Sequence, residues 1–163
     1  MDFIIQKATE LGVARIVPVL SQRSVVRLDA AQAESKAVHW RAVAVSACEQ
    51  CGRNRVPLIE AAQPLLNHLG NSVPGTGLRL VFEPESALPR GTAERGPDEA
   101  MTRLAAAADA HIAIGPEGGF ASDELEAFRV AGFGREGLGP RILRTETAAI
   151  AAMVWLQTRF GDM

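Results

Sequence analysis

Two glycine-rich loops around one short helix, all between His111 and Ala149, constrain this chain more than any other feature. His111 to Ile114 is a short apolar run that reads as a strand, stopped by Gly115 and Pro116. Gly118 and Gly119 leave a loop nearly free of side-chain bulk, able to take positive φ and to bring its backbone N–H groups close to a ligand. Ser122 is the expected N-cap of the next helix, with Asp123, Glu124 and Glu126 suited to its first turn. That helix runs to about Val130 and ends at Gly132. Gly137-Leu138-Gly139-Pro140 then breaks the chain again and delivers Arg141, Arg144, Glu146 and Thr147 into the start of an alanine-rich helix. Two tight, charged loops around one helix suit a ligand site; the alternative is a pair of ordinary turns between helices and strands.

At 163 residues the chain is one domain, long enough to bury a real core. No apolar run approaches a membrane span and no leader pattern points to export, so a cytoplasmic protein is expected. Cys48 and Cys51 form a C-x-x-C, but inside an apparently helical stretch, without a second pair or a histidine at ligand spacing. Two small helix-face residues are expected there, and no metal. The formal net charge of −2 argues against an isolated domain gripping a long nucleic acid, which would be basic. Any RNA must meet a local positive patch, or be held by something outside this chain.

From the amino terminus, Phe3, Ile4, Lys7, Ala8 and Leu11 lie at helical spacing, with Gly12 as the stop and a buried strand over residues 13–20. A helix with no strand ahead of it is unusual for an α/β domain and suggests that material once preceded Met1. The strand opens onto Ser21-Gln22-Arg23-Ser24, which puts Arg23 past a strand's carboxyl end, the edge where open α/β sheets bind ligands. Residues 29–52 form a long helix with alanine at nearly every third or fourth position. Glu49, Gln50, Arg53, Asn54 and Arg55 crowd its exit, either as a charged helix terminus or as a reader of a planar base or a phosphate. A strand at 56–59, a helix at 64–69, a polar turn at 71–77 and a strand at 78–82 follow. A proline- and glycine-containing loop at 88–97 and a helix at 98–108 complete the order, which is that of an α/β protein with a mainly parallel sheet.

The central loops exclude the common nucleotide sites. Gly115-Pro116-Glu117-Gly118-Gly119 does not match G-x-G-x-x-G, and its proline stiffens the turn that motif needs. No lysine follows these glycines as a phosphate-binding loop requires, and Glu117 repels a pyrophosphate. No Ser-His-Asp arrangement is apparent, and His111 reads as structural. A neutral or cationic ligand with an adenosine-like body fits better, its base edge bonded by backbone groups and its face packed on Leu138 or Ile142.

IGPEGGF at 114–120 and LGPRILRTETAA at 138–149, with QKATELGV at 6–13, QRSVV at 22–26 and EQCGRNRVP at 49–57, closely resemble the RsmE family. The resemblance implies a SPOUT-class fold: an α/β, mostly parallel sheet with helices on both faces and a carboxyl-terminal trefoil knot. It implies methylation of uridine N3 in 16S ribosomal RNA of the small subunit, with S-adenosylmethionine as cofactor. It also implies a homodimer with each site near the subunit interface, and Ile150, Met153, Val154 and Leu156 of the last helix as apolar contacts. Cofactor contacts are expected from Ile114, Gly115, Pro116, Glu117, Gly118 and Gly119 in the first loop, and from Leu138, Gly139, Ile142 and Leu143 in the second. Family members also carry an amino-terminal β-barrel of the PUA type with a role in RNA binding. The chain corresponds, over 1–163, to the methyltransferase domain without it, whether as an expressed fragment, through a misplaced start or by natural truncation. Gln22 and Cys51 are small departures, where the family often has glutamate and serine.

Methylating uracil N3 requires removal of a proton whose pKa lies about two units above neutral, at a cost of roughly 3 kcal/mol at pH 7. Charge on the flanking O2 and O4 then calls for an arginine. Arg141 and Arg144 are the candidates, with Arg23, Arg53 and Arg55, beside Glu49 and Gln50, as RNA contacts. Glu117 and Glu146 are the candidate carboxylates for the proton, with Glu49 a third. A structural ion pair between Arg144 and Glu146 is the competing reading. The competing functions are a knotted methyltransferase for another RNA nucleotide and a catalytically weak cofactor- or RNA-binding dimerisation domain.

Overall fold

The structure is a computed structural model that describes residues 1–71, 77–84 and 109–161. The expected loop at 88–97, the helix at 98–108 and most of the turn at 71–77 lie outside the described residues.

Helix α1 (Asp2–Glu10) packs on α2 (Ala30–Cys51). The long helix starts where Asp29, in extended conformation, accepts the Gln32 N–H at 2.8 Å while the Gln32 side chain returns to the Asp29 N–H at 3.1 Å. It stops at Gly52, which takes the left-handed conformation with φ +78°. Its regularly spaced alanines do what their size suggests. Ala33, Ala37, Ala44 and Ala47 are buried, and Ile5, Trp40, Ala44 and Ile59 form one apolar cluster at the α1–α2 contact.

The strand expected over 13–20 is divided. β1 (Arg15–Ile16) pairs in parallel with β3 (Leu58–Ile59), and β2 (Val19–Leu20) with β4 (Gln63–Pro64). Pro18 separates the two pieces, because it has no N–H to continue a ladder; its carbonyl still accepts the Gln63 N–H at 3.1 Å. Helix α3 (Leu65–Asn71) follows directly.

The main sheet is three parallel strands in the order β6 (Ala110–Ile114), β5 (Leu78–Glu83), β7 (Gly134–Gly137). β5 is central and buried on both faces. Its alternation assigns the layers: Leu78, Leu80 and Phe82 pack against Ala152 and Leu156 of α5 (Thr145–Phe160). Val81 faces the other way, into Leu65 and Leu69 of α3 and Phe128 of α4 (Ser122–Val130), with Phe120 beside them. Each fully buried side chain of this kind contributes about 1.5–3 kcal/mol. The parallel sheet with helices on both faces matches the expected class.

Residues 134–137, where the element order admits a strand or a loop, form a strand although Gly-Arg-Glu-Gly has no apolar pattern; it joins through its backbone ladder to β5, and Arg135 pairs with Glu83. Two details differ from the reading of the sequence. The N-cap of α4 is Ala121, one residue earlier than expected; the Glu124 carboxylate reaches back to accept the Ala121 N–H at 2.8 Å, and Ser122 is the first helical residue. Met153 and Leu156 are buried within the chain itself, which leaves Ile150 and Val154 half-exposed on α5.

Candidate active site

Because β5, β6 and β7 run in parallel, their carboxyl ends meet at one edge, and an open cleft lies there. β5 contributes Phe82 and Glu83, followed by Pro84; β6 contributes Ile114 and leads into Gly115, Pro116 and Glu117; β7 leads into Leu138. The first loop closes its turn with a hydrogen bond from the Gly119 N–H to the Pro116 carbonyl at 2.8 Å, and Gly119 takes φ +67°. Gly139 takes φ +93° in the second loop, and a Cβ built on either glycine meets no atom within 4 Å. Both therefore border open space. Ile142 lies at the rim with 72% of its surface exposed, an apolar side chain without an apolar neighbourhood to bury it.

Thr145, the first residue of α5, joins the two loops. Its hydroxyl lies 3.0 Å from the Gly115 carbonyl and 3.3 Å from Glu117 Oε1. Thr145→Val keeps the shape and removes both bonds. It is expected to weaken ligand binding in the cleft by several-fold, since a hydrogen bond of this type is worth about 1 kcal/mol net. Calorimetric titration beside the unmodified chain checks this; unchanged affinity refutes the bridge.

Of the cofactor residues predicted from the sequence, Ile114, Gly115, Pro116, Glu117, Gly119, Leu138, Ile142 and Leu143 line the cleft. Gly118 and Gly139 do not. Gly118 is on the outer side of its loop, against Arg23, and Gly139 supplies the turn between walls. Of the predicted catalytic residues, Arg141 and Glu117 are on the wall. Arg144 and Glu146 are not: Arg144 is the N-cap of α5 and its carbonyl accepts the Ala148 N–H at 2.8 Å, while Glu146 sits in the first turn, where a carboxylate favours the helix dipole. Among the described residues no ion pair joins the two.

Arg23 approaches the site, and its Nη1 donates to the Gly118 carbonyl at 2.8 Å. Arg53 is turned inward, donating from Nη1 to the carbonyls of Thr9 at 2.6 Å and Val13 at 3.0 Å, and so tying the exit of α2 to the end of α1. Glu49, Gln50 and Arg55 are exposed around it and do not border the cleft. The reading of the sequence missed Phe82, Glu83, Pro84, Phe120, Thr145 and Ala148 on the wall. The signal for Glu83 was present: it ends a strand at the edge where ligands bind, the argument applied to Arg23 but not carried to β5. Burial leaves the Glu83 carboxylate 8% exposed, and Arg135 neutralises it.

Parallel strands covered by helices on both faces, with glycine loops and a cleft at the carboxyl edge, define an α/β domain of the kind whose ligands bind beyond the strand ends. Within that class, the chain belongs to the RNA methyltransferase domain family, which matches residues 1–157. It closely resembles the RsmE group of SPOUT-type, knotted enzymes. Ribosomal RNA small subunit methyltransferase E of Buchnera aphidicola (subspecies Schizaphis graminum) is 36% identical over 163 residues, covering 100% of this chain and 62% of the relative. The Bacillus subtilis enzyme of the same name is 35% identical over 156 residues, covering 94% and 59%. A methyltransferase of Legionella pneumophila, solved with the bound cofactor S-adenosyl methionine, superposes with a TM-score of 0.81 at 36% identity, covering 100% of this chain and 62% of that one. The Neisseria gonorrhoeae ribosomal RNA small subunit methyltransferase E, also bound to S-adenosyl methionine, has a TM-score of 0.78 at 38% identity, covering 96% and 60%. The chain thus spans about three fifths of the length of these relatives. Among its described residues no helix is long and apolar enough to cross a membrane.

Proposed function

We propose that this domain binds S-adenosylmethionine in the cleft at the carboxyl edge of β5, β6 and β7 and methylates N3 of a uridine in 16S ribosomal RNA of the small subunit. The observation that carries the reading is a cleft wall that holds the positive-φ Gly119 together with Leu138 and Ile142, the latter two on the loop that turns at Gly139. An adenosine body fits such a wall: apolar side chains meet its face, and loop backbone groups reach its edge. Gly118 and Gly139 belong to the same two loops, and Leu143 to the second. The two relatives solved with S-adenosyl methionine match over nearly the whole chain, which supports the same ligand here.

The bound sulfonium supplies a methyl carbon activated for in-line displacement, and the protein's share of the work is positioning. Arg141, at the cleft, stabilises negative charge on O2 or O4 of the uracil as N3 loses its proton. Glu117, in hydrogen-bond reach of the Thr145 hydroxyl, is the candidate acceptor of that proton, with Glu146 and Glu49 as further carboxylates. The outward donors of Arg23, with Arg55, Glu49 and Gln50, form the RNA-facing set, while Arg53 holds the α1–α2 junction and Arg144 remains a second candidate for charge stabilisation. A second copy of the chain packs on the half-exposed Ile150 and Val154 of α5, giving a homodimer, and the enzyme works in the cytoplasm.

Titration of the purified chain with S-adenosylhomocysteine tests the cofactor site. Binding on the order of micromolar, near one per subunit or one per dimer, is the expected result. A folded chain that gives no heat up to millimolar ligand removes the reading. Incubation with small ribosomal subunits, followed by nucleoside mass spectrometry, then reports the modified atom; a product other than 3-methyluridine overturns the regiochemistry.

A further inference from the structure

Glu124 is a buried carboxylate, 1% exposed, on the first turn of α4, and among the described residues it makes no ion pair. Two backbone donors satisfy it: the Ala121 N–H bonds Oε2 and the Gln22 N–H bonds Oε1, each at 2.8 Å. The second bond spans 102 residues of sequence and anchors the Ser21–Ser24 turn. That turn is closed by a hydrogen bond from the Ser24 N–H to the Ser21 carbonyl at 3.1 Å and by a 2.8 Å contact between the two serine hydroxyls. The Gln22 side chain also bonds Asp123. The residue presented by the turn is Arg23, whose Nη1 holds the Gly118 carbonyl at 2.8 Å. The turn is thereby tied at two points to one stretch about 100 residues away, at the start of α4 and at the glycine loop just before it.

We propose that Arg23 and Glu124 are positioning residues for the cleft, acting as one strut that sets the conformation of the 115–119 loop. The inference rests on the reading of that loop as part of the cofactor site. A segment containing Gly115, Gly118 and Gly119 has more backbone freedom to lose than any other composition, so a loop of this kind needs an external restraint to be preorganised. Arg23 supplies it on the outer face, at Gly118, while the inner face, through Gly115, Pro116 and Gly119, lines the cleft. Ligand affinity then includes the ordering that the strut has already done. Glutamate is required at 124 because it must accept two N–H bonds. Glutamine has a single acceptor oxygen, and its NH2 faces one of the two donors. Arg23 itself is exposed, so its replacement leaves the core intact.

The test compares Arg23→Met, Arg23→Lys, Glu124→Gln and the Arg23→Met/Glu124→Gln double variant by calorimetry with S-adenosylhomocysteine, alongside amide hydrogen exchange over 115–119. Arg23→Met is expected to weaken binding about tenfold, the effect of one charge-assisted hydrogen bond, and Arg23→Lys to recover most of it. Residues 115–119 exchange faster in Arg23→Met and Glu124→Gln. The double variant binds no worse than the weaker single variant, since Glu124 acts through Arg23. A merely structural Glu124 would instead give losses that multiply. Multiplying losses, or Arg23→Met binding and exchanging like the unmodified chain, overturn the strut. If Glu124→Gln does not fold, the Arg23 pair decides alone. If the unmodified chain binds no S-adenosylhomocysteine, the cofactor reading fails, and hydrogen exchange in the Arg23 and Glu124 variants still decides the strut.

Discussion

Phe128→Ala is expected to lower the unfolding free energy by about 3–5 kcal/mol, a large part of the stability of a domain of this size. Phe128 is 2% exposed and is the middle ring of an aromatic row. It meets Phe120 edge-on at a centroid distance of 4.8 Å and Phe133 at 5.0 Å, inside the cluster that also holds Val81, Leu65 and Leu69. These neighbours come from α3, β5 and the loops on either side of α4, so the space left by the ring cannot collapse without moving β5. The loss reaches the cleft as well. Phe120 is on its wall, and the Phe120 ring lies 3.1 Å from where a Cβ on Gly115 would stand. Urea unfolding followed by circular dichroism measures the effect, with Val130→Ala as the control. Val130 is on the same helix but 74% exposed, and its truncation is expected to cost within about 0.5 kcal/mol. Equal effects of the two substitutions would mean that the aromatic row is not the core of this half of the domain.

Arg141→Ala is expected to lower the rate of methyl transfer by roughly two to three powers of ten while S-adenosylhomocysteine affinity stays within a few-fold. The reason is that charge on the uracil carbonyl oxygens develops only as the N3 proton departs, so the arginine acts on the transition state more than on the bound cofactor. Arg141→Lys keeps the charge but not the planar fork, and is expected to recover only part of the rate. Single-turnover assays on small ribosomal subunits separate the two effects. Parallel losses in rate and cofactor affinity would reassign Arg141 to ligand binding.

The order of elements was legible because each rests on signals a few residues long. Asp29 and Gly52 bracket α2, Gly115-Pro116 ends β6, and the short apolar run of β5 announces a strand. Most of the cleft wall was legible too, since the glycines and the residues beside them occupy two short stretches. The residues that escaped are those whose role depends on a distant partner. Gly-Arg-Glu-Gly becomes β7 because β5 offers it a ladder, and Glu83 becomes a wall residue because β6 and β7 end beside it. Arg53 looks like an RNA contact by charge, yet it bonds carbonyls of α1 and the turn after it, 44 and 40 residues away.

By itself, then, the sequence determined the helices, the buried strands, the class of sheet and the two glycine loops, because periodicity, caps and backbone freedom are local properties of the chain. Tertiary structure alone decided that Arg23 holds Gly118, that Glu124 is buried beneath the turn presenting Arg23, and that Thr145 joins the loops. Those outcomes are hydrogen bonds between segments up to 102 residues apart. Their partners are chosen by how helices and strands pack, and no local pattern carries that information.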